Sequence, residues 1–189
     1  MSEVVSKLFT TAGALLSGHF VLTSGMHSDQ YMEKFAVLQY PDKTQQLCDL
    51  IAEHFKEDKV EVVLGPATGG ILLAHGVAKA LGTRSIFTER EQGKMTLRRG
   101  FAIKPGERVL VVEDVVTTGG SVFEVLEVVK AWGGELVGVG YLVDRSGGKA
   151  DFGVKQVPLL KLAVQAWPAA ECPLCQKGVA FTSRGSRNI

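Results

Sequence analysis

The chain has 189 residues, enough for one domain with a full core and a small appendage. Hydrophobic residues make up 46% and charged ones 22%, and the formal net charge is +1, so nothing global points to nucleic acid or an acidic membrane surface as a partner. No apolar run approaches the ~20 residues that cross a bilayer, and three cysteines make no secreted disulfide framework. The expectation is a cytoplasmic protein with no membrane or nucleic-acid partner.

In chain order, Val4, Val5, Leu8, Phe9, Ala12, Leu15 and Leu16 keep helical spacing and predict an amphipathic first helix. "GHFVLTSGMHSDQYMEKF" alternates and is cut by Ser-Gly, which predicts a hairpin of short strands. "PDKTQQLCDLIAEHFKED" opens with Pro-Asp and holds Leu47, Leu50, Ile51, His54 and Phe55 at helical period. "VEVVLG" reads as a strand, "PATGG" as a turn, and "ILLAHGVAKALG" as a helix stopped by Gly82. "RSIFTE" is a further strand, and the polar, glycine-punctuated "REQGKMTLRRGFAIKPGE" a long loop or β-arm. "RVLVVED" is a strand, "TTGG" a turn, and "SVFEVLEVVKAWGG" a helix ended by two glycines. "ELVGVGYLVDR" and "VPLLKLAVQAW" complete the strands, and the end, "FTSRGSRNI", reads as flexible.

Strands that are continuous apolar runs, alternating with helices, imply an α/β fold with a parallel sheet covered on both faces. Ligands in such folds sit at the carboxyl ends of the strands. That rule gathers "PATGG", "EDVVTTGGS" and the Asp144–Arg145 pair along one edge of one sheet.

Glu113 and Asp114 at the end of an apolar strand are poor core material, since burying a lone charge is costly. The "TTGGS" that follows offers backbone N–H groups at a helix N-terminus, glycines that permit close approach, and three hydroxyls: a cradle for a monophosphate. The carboxylates lie about one sugar's length away and can accept hydrogen bonds from a ribose diol. Neither the P-loop lysine pattern nor a dinucleotide-binding glycine pattern is present.

This string resembles the 5-phosphoribosyl-1-pyrophosphate (PRPP) signature of the type I phosphoribosyltransferases. The resemblance implies that family's central parallel sheet flanked by helices, with a small N-terminal hood over about residues 1–40, in a single domain spanning 1–189; the C-terminal tail that bears the CxxC, over about 170–189, reads as flexible. It also implies that Glu113 and Asp114 bind the ribose hydroxyls, and that Val115, Val116, Thr117, Thr118, Gly119, Gly120 and Ser121 carry the 5-phosphate loop. Ala67, Thr68, Gly69 and Gly70 take the position of the loop that meets the diphosphate. Residues 18–35 resemble the hood of the orotate phosphoribosyltransferases, with departures at Thr23 and Met32. Tyr31 is then placed to stack on a pyrimidine. Arg145 is expected to hold the orotate carboxylate through two parallel hydrogen bonds, with Thr117 beside it.

The segment "TEREQGKMTLRRG" is similar to the family's mobile basic loop, which reaches across a dimer interface, but it is shorter and has no histidine. Arg90 and Lys94 are its expected PRPP contacts, with Lys94, Glu113 and Asp114 as the catalytic set. The implied reaction transfers the phosphoribosyl group of PRPP to orotate, with Mg²⁺ as cofactor and a homodimer as the assembly. A purine phosphoribosyltransferase and a PRPP-sensing regulator that binds nucleic acid stand as alternatives on the same fold. In the tail, Cys172 and Cys175 form a C-x-x-C with a following glycine, open to packing, a redox disulfide or zinc, and no His pair at ligand spacing completes a zinc set. His19, His27, His54 and His75 are scattered and read as structural or surface groups; Cys48, in an apolar helical pattern, reads as buried and inert.

Overall fold

The computed structural model describes residues 2–22, 24–162 and 164–183. Helix α1 (Ser2–Thr11) leads to strands β1 (Leu15–Val21) and β2 (His27–Met32), then to short α2 (Phe35–Leu38) and to α3 (Pro41–Phe55). The α/β run follows: β3 (Val62–Pro66), α4 (Gly69–Leu81), β4 (Arg84–Glu91), β5 (Lys94–Leu97), β6 (Arg108–Val116), α5 (Gly120–Ala131), β7 (Glu135–Asp144) and β8 (Gln156–Lys161). A single 3₁₀ turn (Ala169–Glu171), α6 (Pro173–Gln176) and β9 (Thr182–Ser183) close the described chain.

Six strands form one sheet in the order β5-β4-β3-β6-β7-β8, parallel except for β5, which returns antiparallel along β4. The valine-rich β3 and β6 are buried nearly throughout because both faces are covered. On one face, Leu47, Ile51 and Phe55 of α3 and Leu73 and Val77 of α4 pack with Val63, Leu110 and Leu142 of the sheet. On the other, Val122, Val125 and Val129 of α5 pack with Val62, Val109 and Val111. Helices α3 and α4 approach so closely that a Cβ at Gly76 would lie 2.5 Å from the Cys48 sulfur. Cys48 is fully buried, and burial followed by the charge of Asp49 pushes its thiol up to about 12, so it is inert as expected.

The hood is the antiparallel pair β1–β2, with β9 adding in parallel to form a second, three-stranded sheet. Two expectations change here. Leu15 and Leu16 belong to β1 rather than to the first helix, because Gly13, at φ +65°, ends the helical path ahead of them. Of the end expected to be flexible, Thr182 and Ser183 pair with Phe20 and Val21 of the hood, while 184–189 lie outside the described residues. The last large strand is also shorter than its apolar run: β8 stops at Lys161, and the chain crosses toward the hood, where Trp167 pairs with His27. The polar segment after β4 is the β-arm alternative, a hairpin whose return strand is β5.

Candidate active site

Strands β4 and β6 lie on opposite sides of β3, so the connections after β3 and β6 diverge and open a crevice at the carboxyl edge. The turn after β3 fills one wall. It is built around glycines because its two strands of backbone nearly touch: a Cβ at Gly65 would lie 2.2 Å from the Gly70 carbonyl oxygen. Gly69 faces the second wall, and a Cβ there would sit 1.7 Å from Asp114 Oδ2. Ala67, Thr68 and Gly69 therefore line the same cleft as Glu113, Asp114, Val115 and Ser121, while Gly70 stays behind them, buried.

The loop after β6 turns through Gly119, which caps α5 with φ 80° and ψ 0°, a left-handed conformation that a side chain would strain. A Cβ there would also meet the Phe152 ring at 2.9 Å. The result is a small cavity walled by Val115, Val116 and the 117–122 turn, at the N-terminus of a helix 12 residues long. Its backbone N–H groups and the hydroxyls of Thr117, Thr118 and Ser121 suit an anion of phosphate size.

Glu113 and Asp114 are both buried. Glu113 Oε1 accepts from the Asp114 backbone N–H at 2.9 Å. Burial first, and then the neighbouring Asp114 charge, push the Glu113 carboxyl up to about 8. Asp114 holds an ion pair with Lys34 at 2.6 Å. Lys34 went unassigned at the sequence level; the only signal was a basic residue just past the hood hairpin. It is the cation that lets two adjacent carboxylates be buried together.

Tyr31 and Lys34 border both this cleft and an adjoining cavity whose further walls include Leu22, Ser24, Thr117, Thr118, Val164, Ala166 and Arg145. Tyr31 is held by the Phe20 ring, centroids 5.6 Å apart. Met32 lines the cavity as well; Thr23 lies outside the described residues. Arg145 follows the last residue of β7, and its N–H donates to the Val116 carbonyl at 2.8 Å, which ties it to the end of β6. Asp144, its sequence neighbour, is engaged elsewhere, accepting from the backbone N–H and the hydroxyl of Ser146 at 2.8 and 2.6 Å. Arg145 Nε is buried without a hydrogen-bond partner among the described residues, and burial lowers the guanidinium's affinity for its proton.

The basic arm divides. Arg90 lines the main cleft and forms a two-pronged pair with Glu124, both contacts at 2.7 Å. Lys94 is not in this cleft: it borders a separate cavity with Met95 and with Glu124, Glu127, Val128 and Ala131 of α5. Lys94 thus stands apart from the other candidate residues of its own chain. Pairing β5 to β4 carries that side chain to the α5 side of the sheet edge.

The geometry thus offers an anion cradle, a pair of buried carboxylates, a glycine-lined wall and a pocket bordered by a guanidinium whose Nε lacks a partner among the described residues. Comparison with known proteins agrees with that reading. The model for the phosphoribosyl transferase domain matches residues 36–171. The chain is 56% identical to an orotate phosphoribosyltransferase of Desulforamulus reducens, over 99% of this chain and 98% of that one. It is 47% identical to that of Thermotoga maritima, over 98% and 100% respectively. The solved orotate phosphoribosyltransferase of Aeropyrum pernix superposes with a TM-score of 0.70 at 30% identity, covering 84% of this chain and 93% of that one. An adenine phosphoribosyltransferase of Rhodothermus marinus shares the fold at a TM-score of 0.65 and 21% identity, covering 86% of this chain and all of that one, so the fold alone does not choose the base. Sequence similarity does choose it, and the chain belongs to the phosphoribosyltransferase family, among its orotate phosphoribosyltransferases.

Proposed function

We propose that this cleft transfers the 5-phosphoribosyl group of PRPP to orotate, a step of pyrimidine biosynthesis. Orotate N1 attacks ribose C1, the bond from C1 to the diphosphate oxygen breaks with its electron pair, and orotidine 5′-monophosphate and pyrophosphate result. The observation that carries the reading is Arg145, a partly buried guanidinium whose Nε has no hydrogen-bond partner among the described residues, in a pocket shared with Tyr31 and opening beside the anion cradle. A planar base bearing a carboxylate supplies what that group lacks.

In this assignment the 117–121 turn binds the 5-phosphate, Glu113 and Asp114 orient the ribose hydroxyls, and residues 67–70 receive the diphosphate. No covalent nucleophile is required; positioning and electrostatics lower the barrier as charge grows on the leaving group. Mg²⁺ belongs to the proposal. Two carboxylates are donors of the hard type it takes, but Lys34 already neutralises Asp114, which fits an ion held largely by substrate oxygens. When bound, it supplies charge neutralisation on the diphosphate. A cytoplasmic homodimer completes the reading, with Lys94 of each chain serving the neighbouring cleft. Among the described residues no helix is long and apolar enough to cross a membrane.

The test is loss of orotate absorbance with PRPP and Mg²⁺, run beside adenine, hypoxanthine and xanthine. Turnover of orotate alone is expected. Turnover of a purine with orotate untouched would overturn the assignment.

A further inference from the structure

Away from the cleft, the fold gathers four side chains that the proposed reaction does not use. His19 comes from β1 and His27 from β2; Cys172 caps α6 and Cys175 lies within it. One donor atom from each lies within 4.8 Å of all the others. His19 Nε2 is 3.5 Å from Cys172 Sγ and 3.8 Å from Cys175 Sγ, and His27 Nδ1 is 3.3 Å from Cys175 Sγ. A zinc ion with Zn–N of about 2.0–2.1 Å and Zn–S of about 2.3 Å in tetrahedral geometry needs ligand–ligand edges of roughly 3.3–3.8 Å. These three nitrogen–sulfur separations already have that size. The two ring nitrogens, 2.8 Å apart, must spread by about half an ångström to take the ion.

Proton bookkeeping favours an ion over a purely hydrogen-bonded cluster. His19 Nδ1 lies 2.7 Å from the Val179 carbonyl oxygen, which can only accept, so Nδ1 carries the proton. In the neutral ring Nε2 is then a bare lone pair, and one lone pair faces His27 Nδ1 and two thiols. It can accept from one of them well, whereas a cation accepts from all four at once. The Val179 contact is also the outer hydrogen bond that orients a metal-ligating histidine.

The tail gives an independent reason. Among the described residues from 164 to 183, Cys172 is the only buried one, and Val179 and Phe181 are 44% and 60% exposed. A segment with so little core needs a staple to stay docked on the hood. Cys172 and Cys175 meet His19 and His27 only because β1 and β2 pair antiparallel and the tail folds back over them.

We propose that His19, His27, Cys172 and Cys175 form a structural Zn²⁺ site that clamps the tail to the hood. The site is closed, with four protein ligands and no open position for substrate. Its link to the cleft is mechanical: residues 164 and 166, on the clamped segment, wall the pocket that holds Arg145. Binding releases the two thiol protons, and no redox step is involved.

The test measures zinc by elemental analysis in the full chain purified under reducing conditions without added metal, and again after dialysis against buffered Zn²⁺. One zinc per chain is expected, falling to near zero in Cys175→Ser. Exchange with Co²⁺ should give visible d–d bands of tetrahedral form with thiolate-to-metal charge transfer. Because Cys175→Ser could fail by misfolding, Cys175→His serves as the second variant: it should keep the metal while the charge-transfer band falls to about half, one thiolate remaining of two. A folded wild-type chain that takes up no zinc in either preparation overturns the proposal. So does a Cys172–Cys175 disulfide in the reduced preparation, or full zinc retention in both Cys172→Ser and Cys175→Ser. None of these readouts depends on orotate turnover.

Discussion

Replacing Arg145 with alanine separates stability from function in a way the geometry makes quantitative. Nε is buried with no hydrogen-bond partner among the described residues. An unsatisfied buried donor costs about 1–3 kcal/mol. Alanine removes that cost together with the packing of the aliphatic stem, a loss of about 1–2 kcal/mol. The two nearly cancel, so Arg145→Ala should change stability by no more than about 1 kcal/mol, a Tm shift of roughly 2–4 °C for a chain of this size. The orotate carboxylate, by contrast, loses a charge-assisted, two-pronged hydrogen bond worth about 1.5–3 kcal/mol. Orotate kcat/KM should fall about 10- to 150-fold, and the PRPP KM should hold within about twofold, because the proposed 5-phosphate cradle lies on the other side of Thr117. Arg145→Lys, with the charge but not the planar fork, should recover only part of the loss. Thermal melting and steady-state kinetics with each substrate varied in turn decide it. A Tm drop beyond roughly 8 °C with unchanged orotate kinetics would show Arg145 to be a structural residue and refute the reasoning.

Glu113 predicts a pH dependence. Its carboxyl is raised from 4.5 to about 8 in the folded chain, so between those values the native state holds a proton that the unfolded chain has released. Its contribution is fully present below 4.5 and is lost as pH rises through about 8. Glu113→Gln, neutral throughout, should flatten the decline of wild-type Tm across that window, and an unchanged slope would contradict the burial reading. Lys94 predicts subunit complementation. Lys94→Ala and Arg145→Ala chains, each impaired alone, should on mixing and re-pairing regain about a quarter of wild-type activity, the share of sites left intact by random pairing in a two-fold dimer. Mixtures no more active than the separate variants would remove Lys94 from the neighbouring site.

Much of this protein is local and therefore legible in its sequence. Valine runs specify β3 and β6, Gly82 and Gly119 mark helix ends by their positive φ, and the order of strands and helices implies the parallel sheet. Because ligands collect at the carboxyl edge of such a sheet, the gathering of residues 67–70, 113–121 and 145 followed from the chain alone. What the sequence could not contain is anything decided between segments distant along it. Lys34 reaches Asp114 from 80 positions away, across the hood, and only the fold shows that two adjacent buried carboxylates have a cation to hold them. Lys94 falls outside its own cleft because β5 pairs with β4, a choice of strand register rather than of residue type. His19 and His27 have no ligand spacing with each other or with Cys172 and Cys175. Antiparallel pairing of β1 with β2 sets the first two side by side, and the return of the tail brings the cysteines to them. Motif spacing records only neighbours that share one element, and a site assembled from four elements exists only after the chain has folded.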